Sequence, residues 1–480
     1  MGGFHHKCGI VSCYKDPALK RDLYTGSMWL NHRGLEGTGF CVDVGGSLLV
    51  SKDLGLVNHV FPQLYGAADF KAETGFAHNR YSTTGDSKRD NLQPIRVSHV
   101  AVGHNGNLVN TEALRSRYEK THQFKTGTDT EAIACIFDEA KGDMLEGAKR
   151  CFDLCEGSYN LMVMNSDGDL AVLRDPWAIH PLHWVPDDEG EHPIYVASED
   201  CALHALGIYD DTKIKEFPAG TVTIMKKNGD VSSHNIRTGE KKLRCYFEPF
   251  YFMHYASSYK GMVVSEIRRS LGRRLAERMK ERGIKPDLVC LMPDSGNDYA
   301  YGVHQATGIE MVQALGSNRF AGRTYMAPQG KGEDFPAEIN FSRLERVRLK
   351  SRPIPNLVRG KIVAIPDDSN VRGNTNIGIT DELYRAGAEE VHWLIASPPI
   401  RGPCLLGMDH AVKSQLIAAP FLSTRDAEEG VAKAIGAASV TYLEIGDAAV
   451  AIGDEKDHDW GCVVGTCPFN LSDAQRRLFE

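Results

Sequence analysis

The sequence predicts an α/β protein whose two halves are organised differently, and three observations support this prediction. The 480 residues are more than one ordinary hydrophobic core accommodates, so two domains are expected. In the first half, short apolar runs are separated by Gly, Asn and Asp, which is typical of antiparallel strands joined by tight turns. In the second half, apolar runs alternate with helical patterns, which indicates βαβ units and a parallel sheet.

The predicted strands of the first half come from four segments, SLLVSKDLGLV, HVAVGHNGNLV, YNLMVMNSDGDLAVL and GTVTIMKKNGDV. A helix is predicted from Asp129, because the segment DTEAIACIFDEA carries apolar residues at helical spacing. We therefore expect a layered α/β domain with mainly antiparallel sheets over residues 8–240.

The second half begins after the charged stretch TGEKKLRC, and we predict the domain boundary near residues 235–245. A helix from Ser265 follows, since four apolar residues recur four apart on one face: Ile267, Leu271, Leu275 and Met279. Strand patterns in DLVCLM, KIVAI and EVHWLIAS then alternate with a helix through TDELYRAGA. Residues 241–480 are thus predicted to form a domain with a mainly parallel sheet.

The composition favours a cytoplasmic enzyme. Hydrophobic residues make up 42% and charged residues 25%, and the net charge of -8 argues against binding nucleic acid or a membrane surface. No apolar run approaches the roughly 18 residues of a membrane helix, and the N-terminus lacks the apolar stretch of a secretory signal. The 12 cysteines are scattered, as expected of free thiols, catalytic residues or metal ligands in a reducing compartment.

Five stretches of the first half indicate chemistry: CGIVS at Cys8, NHRGLEGTG at Asn31, AHNRYSTTG at Ala77, GHNGNL at Gly103 and TGTDTE at Thr126. Each alone has a structural explanation: a core thiol at Cys8, a surface ion pair at Arg80, a hairpin turn at Asn105-Gly106 and a helix N-cap at Asp129. Together and in this order, they resemble the N-terminal-nucleophile glutaminase domain of class II amidotransferases. The resemblance implies a four-layer αββα fold.

The same resemblance implies a role for each residue. Cys8 would be the nucleophile, and its own α-amino group, with a pKa near about 8, would be the base. The Asn105 side chain and the Gly106 amide would stabilise the oxyanion. Arg80 would bind the glutamine α-carboxylate, and Asp129 its α-ammonium group. The amine of Cys8 is free only if residues 1–7 are a leader that is cleaved, which we also predict.

In the second half, an apolar strand in KIVAIPDDSNVRGNT runs into two acidic residues and then a polar loop. A strand-to-helix turn with an acidic cap would look similar, but the full string resembles the phosphoribosyl pyrophosphate motif of type I phosphoribosyltransferases. Asp367 and Asp368 would accept hydrogen bonds from the ribose hydroxyls. The loop would hold the 5′-phosphate at a helix N-terminus through Ser369, Arg372, Gly373, Asn374 and Thr375.

Flanking segments match the same family: MPDSGNDYAYG, GSNRFAGRTYMAPQ, RVRLKSRP and SPPIRGPCLLGMD. The resemblance places Asp294 and Ser295 near the pyrophosphate and gives Arg323 and Lys350 the task of neutralising it. A Mg²⁺ ion is expected near Ser295, Asp367 and Asp368, bridging phosphate oxygens with few protein ligands.

The two halves together resemble the amidophosphoribosyltransferase family. This implies glutamine-dependent transfer of ammonia to phosphoribosyl pyrophosphate, giving 5-phosphoribosylamine, pyrophosphate and glutamate in the first step of purine synthesis. Purine nucleotides are expected as feedback inhibitors, and a homodimer or homotetramer as the assembly. Two alternatives stay open: a paralogue that aminates another phosphosugar, and a regulator that binds phosphoribosyl pyrophosphate without turnover.

One branch of this family holds a [4Fe–4S] cluster on four cysteines, and the candidates here are Cys245, Cys404, Cys462 and Cys467. The last two are separated by four residues instead of the usual two. The sequence therefore leaves two alternatives, a bound cluster or four metal-free cysteines. Further departures from the family pattern occur at Asn79, Ala178, His180, Pro366, Asn370 and Asn374, and in a longer stretch after Gln329.

Overall fold

The structure is a computed structural model. It describes residues 8–67, 70–81, 88–187, 192–293, 295–318, 351–408 and 412–479. The predicted leader, Met1 to Lys7, lies outside the described residues. In the described part of the chain, no helix is long and apolar enough to cross a membrane.

Within its described residues, the first half contains thirteen strands and six α-helices. The strands are β1 (Gly9–Cys13), β2 (Gly37–Asp43), β3 (Leu48–Leu54), β4 (Gly75–Arg80), β5 (Ile95–Val97), β6 (Val100–Leu108), β7 (Gly157–Asn165), β8 (Leu170–Arg174), β9 (His183–Pro186), β10 (Pro193–Ala197), β11 (Lys215–Glu216), β12 (Thr221–Met225) and β13 (Val231–Asn235). The helices are α1 (Leu19–Trp29), α2 (Val57–Ala67), α3 (Thr111–Tyr118), α4 (Asp129–Glu139), α5 (Met144–Leu154) and α6 (Asp200–Ala205).

These elements form four layers around two antiparallel sheets, of order β11-β9-β10-β1-β4-β2-β3 and β13-β12-β8-β7-β6-β5. Side chains alternate between the faces of each strand, so Ile10 of β1 packs against the other sheet and Val11 packs under α1 and α2. On the outer face of the second sheet, α4 and α5 contribute Ile133 and Phe152 to a further core. The predicted αββα arrangement is therefore confirmed.

The second half contains the strands β14 (Arg244–Cys245), β15 (Ser258–Tyr259), β16 (Met262–Val263), β17 (Leu288–Cys290), β18 (Met311–Val312), β19 (Leu315–Ser317), β20 (Ser351–Pro353), β21 (Ile362–Asp367), β22 (Glu390–Ile395), β23 (Ser439–Tyr442) and β24 (His458–Asp459). Its helices are α7 (Val264–Glu281), α8 (Asn297–Thr307), α9 (Pro355–Val358), α10 (Asn374–Arg385), α11 (Thr424–Ile435), α12 (Ile445–Ile452), α13 (Gly461–Val464) and α14 (Asp473–Arg476). A single π-helical turn, Glu248–Phe252, follows β14.

A five-stranded parallel sheet of order β18-β17-β21-β22-β23 is the centre of this half, as predicted. Both of its faces are covered, by α7 and α8 on one side and by α10 and α11 on the other. Burial on both faces explains why its strands are continuous apolar runs. The predicted stripe of α7 (Ile267, Leu271, Leu275 and Met279) is buried against the sheet.

One local interpretation of the sequence is wrong. The Asn105-Gly106 pair, which also suggested a hairpin turn, lies inside the nine-residue strand β6. Gly106 adopts a φ of 150°, which few other residues tolerate, and a Cβ atom there would lie 2.1 Å from the carbonyl oxygen of Ser158 on β7. This glycine therefore lets two strands approach closely and does not reverse the chain.

Candidate active sites

The Cys8 thiol lies at the entrance to β1, a central strand of the first sheet. Cys8 is 3% exposed, and its thiol donates a long hydrogen bond of 3.9 Å to the carbonyl oxygen of Tyr81. Burial raises the pKa of the thiol to about 11, although the bond to Tyr81 and the nearby Arg80 guanidinium act in the opposite direction. The thiol is therefore protonated at neutral pH, and a nucleophilic role requires a base beside it.

The two predicted glutamine-binding residues both lie near this thiol. Gly9 pairs with Asn79, which places Arg80 beside Cys8 on the neighbouring strand. Asp129 is the first residue of α4, and its Oδ2 accepts the main-chain N–H of Leu108 at 3.1 Å. Arg80 and Asp129 are both 2% exposed, so the alternative of a surface ion pair at Arg80 is wrong. A buried cation and a buried anion near one thiol suit the carboxylate and ammonium groups of an amino acid.

The two predicted oxyanion donors come from the other sheet. Asn105 is 3% exposed, and its amide nitrogen lies 3.5 Å from the hydroxyl of Ser198. The Ser198 hydroxyl in turn accepts the N–H of Ile10, two residues after the nucleophile. Ser198 thus connects the strand that carries Cys8 with the strand that carries Asn105 and Gly106.

A buried ion network contacts the main chain of Cys8, and the sequence motifs assigned no role to its members. The guanidinium of Arg33 donates to the carbonyl oxygen of Cys8 at 3.0 Å, to Glu199 at 2.6 Å and to Glu248 at 2.9 and 2.8 Å. Burial opposes ionisation of Glu248, but Arg33 and His180 outweigh it and lower its pKa to about 2. Glu248 belongs to the second half, so this network joins the two halves directly behind Cys8.

A second connection between the halves lies beside β6, the strand that carries Asn105 and Gly106. Three side chains of the first half donate to main-chain oxygens of Leu405 and Leu406. Asn107 Nδ2 contacts the oxygen of Leu405 at 2.6 Å, while Ser158 Oγ and His180 Nε2 contact that of Leu406 at 2.6 and 2.8 Å. A displacement of the loop that holds Leu405 and Leu406 would therefore act directly on the strands carrying Asn105 and Gly106.

Two departures from the family pattern, Asn79 and His180, have structural explanations, and Ala178 has none. Asn79 is fully engaged, donating to the oxygen of Ser27 and accepting from the hydroxyl of Thr38. Ala178 has a φ of 55°, a conformation that favours glycine. His180 joins Glu248 to Leu406, with 2.8 Å to each. Asn79 and His180 maintain the architecture around the site.

The predicted phosphoribosyl site lies where β21 ends at the carboxyl edge of the parallel sheet, the usual place for ligands in such sheets. Asp367 and Asp368 are 6% and 4% exposed, and the Ser295 hydroxyl donates to Asp367 Oδ1 at 2.7 Å. Burial and the neighbouring Asp368 raise the pKa of Asp367 well above its usual range. Two buried like charges are costly, and hydroxyl donors or a cation would relieve that cost.

The loop after these carboxylates leads into α10, as the motif predicts. Gly373 stands at the N-cap with a φ of 73°, so Asn374 and Thr375 open the helix with free main-chain N–H groups. The Ser369 hydroxyl is turned inward and donates to Asp368, and Arg372 donates to Gln415 at 3.1 Å. Asn370 is 2% exposed, and its amide has no hydrogen-bond partner among the described residues.

Three of the predicted pyrophosphate residues, Asp294, Arg323 and Lys350, lie outside the described residues. Within the part of the chain that is described, no three His, Cys, Asp or Glu side chains are close enough together to hold one metal ion. The oxygen donors of Ser295, Asp367 and Asp368 nevertheless suit a Mg²⁺ ion that takes most of its ligands from phosphate and water.

The four cysteines considered for a cluster surround one buried region between β14, β24 and α13. Cys245, Cys404 and Cys462 are 7%, 9% and 7% exposed, and Cys467 is half-buried. Burial raises the pKa of Cys245 and of Cys462 well above the usual range. The nearby Cys404 thiol raises both pKa values further, and Cys462 also raises that of Cys245. Burial likewise raises the pKa of Cys404 to about 12, with Cys467 contributing. Thiols gathered in this way suit an iron–sulfur cluster, whose ligands are further apart than those of a single ion.

One domain model matches part of this chain, and known proteins match nearly all of it. Residues 78–205 match the model of the glutamine amidotransferase domain. Over 97% of this chain and 98% of its own length, the amidophosphoribosyltransferase of Methanocaldococcus jannaschii is 35% identical. The amidophosphoribosyltransferase of a Synechocystis strain is 36% identical over 98% of this chain and 92% of its own. The chain belongs to the amidophosphoribosyltransferase family.

Solved structures agree with this membership in the family. A structure titled as the allosteric regulatory enzyme of purine biosynthesis has a TM-score of 0.84 and 29% identity, covering 98% of this chain and 97% of that one. The glutamine phosphoribosylpyrophosphate amidotransferase of B. subtilis, solved with ADP and GMP, has a TM-score of 0.82 and 29% identity over 98% and 99%. No comparison favours a non-catalytic regulator.

Proposed function

We propose that this chain transfers the amide nitrogen of glutamine to phosphoribosyl pyrophosphate, with residues 8–240 as the glutaminase and residues 241–480 as the phosphoribosyltransferase. The observation that supports this most strongly is the surroundings of Cys8. Arg80 and Asp129 come from separate elements, yet both are buried and near this thiol. The Ser198 hydroxyl links the buried Asn105 to Ile10, two residues after Cys8. A purely structural set of residues would not bring a buried cation and a buried anion to an unpaired cysteine.

The glutaminase step begins after residues 1–7 have been removed. The freed α-amine of Cys8 takes the thiol proton, and the thiolate attacks the amide carbon of glutamine. The oxyanion that forms is held by the Asn105 amide and the Gly106 N–H. Its collapse expels ammonia and leaves a thioester, which water hydrolyses to glutamate and the free thiol. Arg80 and Asp129 fix the substrate through its carboxylate and ammonium groups.

In the second step, ammonia attacks C1 of the ribose and the C1–O bond to pyrophosphate breaks. Asp367 and Asp368 accept hydrogen bonds from the ribose hydroxyls, which relieves the repulsion between two buried carboxylates. Ser369, Arg372, Gly373, Asn374 and Thr375 hold the 5′-phosphate at the start of α10. Mg²⁺ held near Ser295, Asp367 and Asp368 would neutralise the departing pyrophosphate, a task shared by Arg323 and Lys350.

The deciding experiment measures glutamate and pyrophosphate from anaerobically purified protein, with and without phosphoribosyl pyrophosphate, in the presence of glutamine and Mg²⁺. Equal amounts of both products, formed only when both substrates are present, support the coupled transfer. Glutamate without pyrophosphate would assign the nitrogen to another phosphosugar. The regulator alternative predicts neither product, although phosphoribosyl pyrophosphate still binds.

We further propose that Cys245, Cys404, Cys462 and Cys467 hold a [4Fe–4S] cluster, which would brace the chain end against the body of the second half. The four thiols lie around one buried region, and such ligands tolerate varied sequence spacing. Anaerobic reconstitution should give four irons and four sulfides per chain. A Cys462→Ser variant should lose them, while Cys290→Ser, at a buried thiol in the parallel sheet, should keep them. Iron-free wild-type protein after reconstitution would exclude the cluster.

Regulation and assembly follow from the same membership in the family. The B. subtilis relative is solved with ADP and GMP, so we propose that purine nucleotides inhibit this chain and that it works as a homodimer or homotetramer in the cytoplasm. All 12 cysteines are unpaired, as in a reducing compartment. Light scattering and inhibition assays with purine nucleotides test the assembly and the regulation.

A further inference from the structure

A cavity of about 290 Å³ is lined by residues of both halves, and neither Cys8 nor Asp367 belongs to its wall. The first half contributes Arg174, His183 and Glu216 to its wall, and the second half contributes Arg244, Tyr259 and Lys260. Neither the glutaminase step nor the phosphoribosyl step uses any of these residues. The volume is at the lower end of the range of pockets that bind small metabolites.

The side chains of this wall carry polar atoms without partners. Among the described residues, no hydrogen bond is made by the Tyr259 hydroxyl, Arg174 Nε, Arg244 Nε or His183 Nδ1, although all four atoms are buried. Three are donors, and the histidine nitrogen is a donor in one tautomer. Buried polar atoms are nearly always satisfied by protein, water or ligand. A set dominated by donors calls for a ligand rich in acceptor oxygens.

Three cationic side chains, Arg174, Arg244 and Lys260, line the cavity together with three carboxylates. Glu216 bridges the two arginines, at 2.9 Å from Arg174 and 3.0 Å from Arg244, so one carboxylate serves two guanidinium groups. Burial opposes ionisation of Glu216, but Arg174 and Arg244 outweigh it and lower its pKa to about 2.

The other two carboxylates of the wall, Asp200 and Asp211, have contacts of their own. Both oxygens of Asp200 accept the main-chain N–H of Ser258 at 2.9 Å, and Asp211 is at the mouth with 83% of its side chain exposed. Lys260 is paired with the half-exposed Asp457 at 3.3 Å, and it stands at the tip of the β15–β16 hairpin with a φ of 51°. Each cation can therefore turn toward a ligand without leaving an acidic group buried alone.

Apolar side chains form the rest of the wall, including Ile179, Pro181, Ile214 and Val263. An inorganic ion would leave this surface uncovered, whereas an organic body would cover it. We propose that the cavity binds a small organic phosphate, with the phosphate oxygens toward Arg244, Lys260 and Tyr259 and the organic part against the apolar side chains. Binding turns the polar ends of Arg244 and Tyr259 toward the ligand and ties the β15–β16 hairpin to the first half.

The test is calorimetric titration of the full-length protein with glycerol 3-phosphate, comparing variants of the cavity with variants of the phosphoribosyl loop. Wild-type protein should show two sites per chain, one at the cavity and one at the loop. Lys260→Met should weaken the cavity site by about tenfold or more, because it removes a charge-assisted bond. A Ser369→Ala/Thr375→Ala variant should weaken only the other site.

Tyr259→Phe is the sharpest variant, because the hydroxyl has no partner among the described residues and its removal should not lower the thermal midpoint of the free protein. It should nevertheless weaken the cavity site by roughly threefold to tenfold, the usual effect of one lost hydrogen bond. The matched controls are Tyr209→Phe, at a tyrosine that is 81% exposed, and Lys213→Met, at an exposed lysine; neither lines the cavity.

Two results would overturn the proposal. In the first, the wild-type protein shows a single binding site. The loop variant abolishes that site, and Lys260→Met and Tyr259→Phe leave its affinity unchanged. The other is equal binding of acetate and glycerol 3-phosphate at the cavity, which would assign it to carboxylates. Loss of coupled transfer in the wild-type protein would overturn the proposed function and leave this titration unaffected.

Discussion

The two candidate sites are built in opposite ways. The glutaminase site gathers Cys8, Arg80, Asn105 and Asp129 from β1, β4, β6 and α4, and neighbouring groups already engage each of them. The phosphoribosyl site is nearly continuous in sequence, from Asp367 to Thr375 at the end of one strand. Its two carboxylates are buried side by side, with the pKa of Asp367 raised by burial and by Asp368.

This difference shows which site has its buried charges balanced before substrate binds. The first has opposite charges that offset one another, so its geometry is fixed in the free protein. The second holds two neighbouring buried carboxylates, whose repulsion we expect substrate hydroxyls or a cation to relieve. Substitutions in the first site should therefore cost both activity and stability, whereas those in the second should separate the two.

The largest effect is expected from Cys8→Ala. Loss of the nucleophile should lower glutamine-dependent transfer by roughly 10⁴-fold or more, whereas transfer from added ammonia should stay within about twofold, because free ammonia bypasses the glutaminase step. Pyrophosphate release with each nitrogen donor measures both. Cys13→Ala, at another buried thiol on β1, is the control and should keep glutamine-dependent transfer. Equal loss with both donors would contradict the division of labour between the halves.

Gly106→Ala should come next. The added Cβ would lie 2.1 Å from the Ser158 oxygen, so β6 must move and the oxyanion donors with it. We expect about a hundredfold loss of glutaminase rate together with a lower unfolding midpoint. The control is Gly446→Ala in α12, where nothing lies within 4 Å of the new atom. An unchanged glutaminase rate would show that Gly106 does not contribute to the oxyanion site.

Asp367→Asn should lower the activity while it raises the stability of the folded protein. Removal of one carboxylate should lower ammonia-dependent transfer by roughly 10- to 100-fold and raise the unfolding free energy at pH 7.5 by about 1–2 kcal/mol. The folded-state pKa of Asp367 is raised, so ionisation destabilises the folded wild-type protein as pH rises above the ordinary value. The gain should therefore shrink as pH falls toward about 4.

Denaturant unfolding at several pH values checks this prediction. Asp381→Asn, at a partly exposed residue of α10 paired with Arg385, is the control and should change stability little. A destabilised Asp367→Asn protein at pH 7.5 would show that the carboxylate pair is already compensated in the free protein.

The smallest effect is expected from Ser158→Ala, which removes the bond to the Leu406 oxygen. The cost should be about 1 kcal/mol of unfolding free energy, with a weaker stimulation of glutaminase by phosphoribosyl pyrophosphate. Ser166→Ala, which loses a comparable bond to His99 within the first half, is the control and should leave the stimulation intact. Unchanged stimulation in both variants would show that the Leu405–Leu406 contact does not transmit substrate binding.

The sequence predicted the continuous site better than the dispersed one. Residues Asp367 to Thr375 could be placed at a strand end and a helix start because strand, loop and helix follow one another along the chain. The dispersed site required a family resemblance, since no local pattern brings Cys8 near Asp129. Even then, the position of Asn105-Gly106 within a strand was missed, because the glycine serves a contact with Ser158 and not a turn.

The ion network behind Cys8 was missed for a related reason. Arg33 lies 166 residues from Glu199 and 215 from Glu248, and such pairs have no signature in a single sequence. One signal was available: Glu248 interrupts the aromatic run CYFEPFYF, and a carboxylate in a buried aromatic segment requires a partner. Arg33 itself lay inside a motif that was recognised without being given a role.

Because Arg33 contacts Glu248, truncation at the proposed domain boundary at residue 240 would remove a buried partner of Arg33. A fragment ending there would keep Arg33, His180 and Ser158 but lose Glu248 and the main chain at Leu406. Arg33, which contacts the main chain of Cys8, would then keep Glu199 but lose the second buried carboxylate that balances the network. The glutaminase half is therefore a poor candidate for grafting onto a foreign synthase, and engineering that exploits its ammonia supply should exchange the acceptor site within the intact chain.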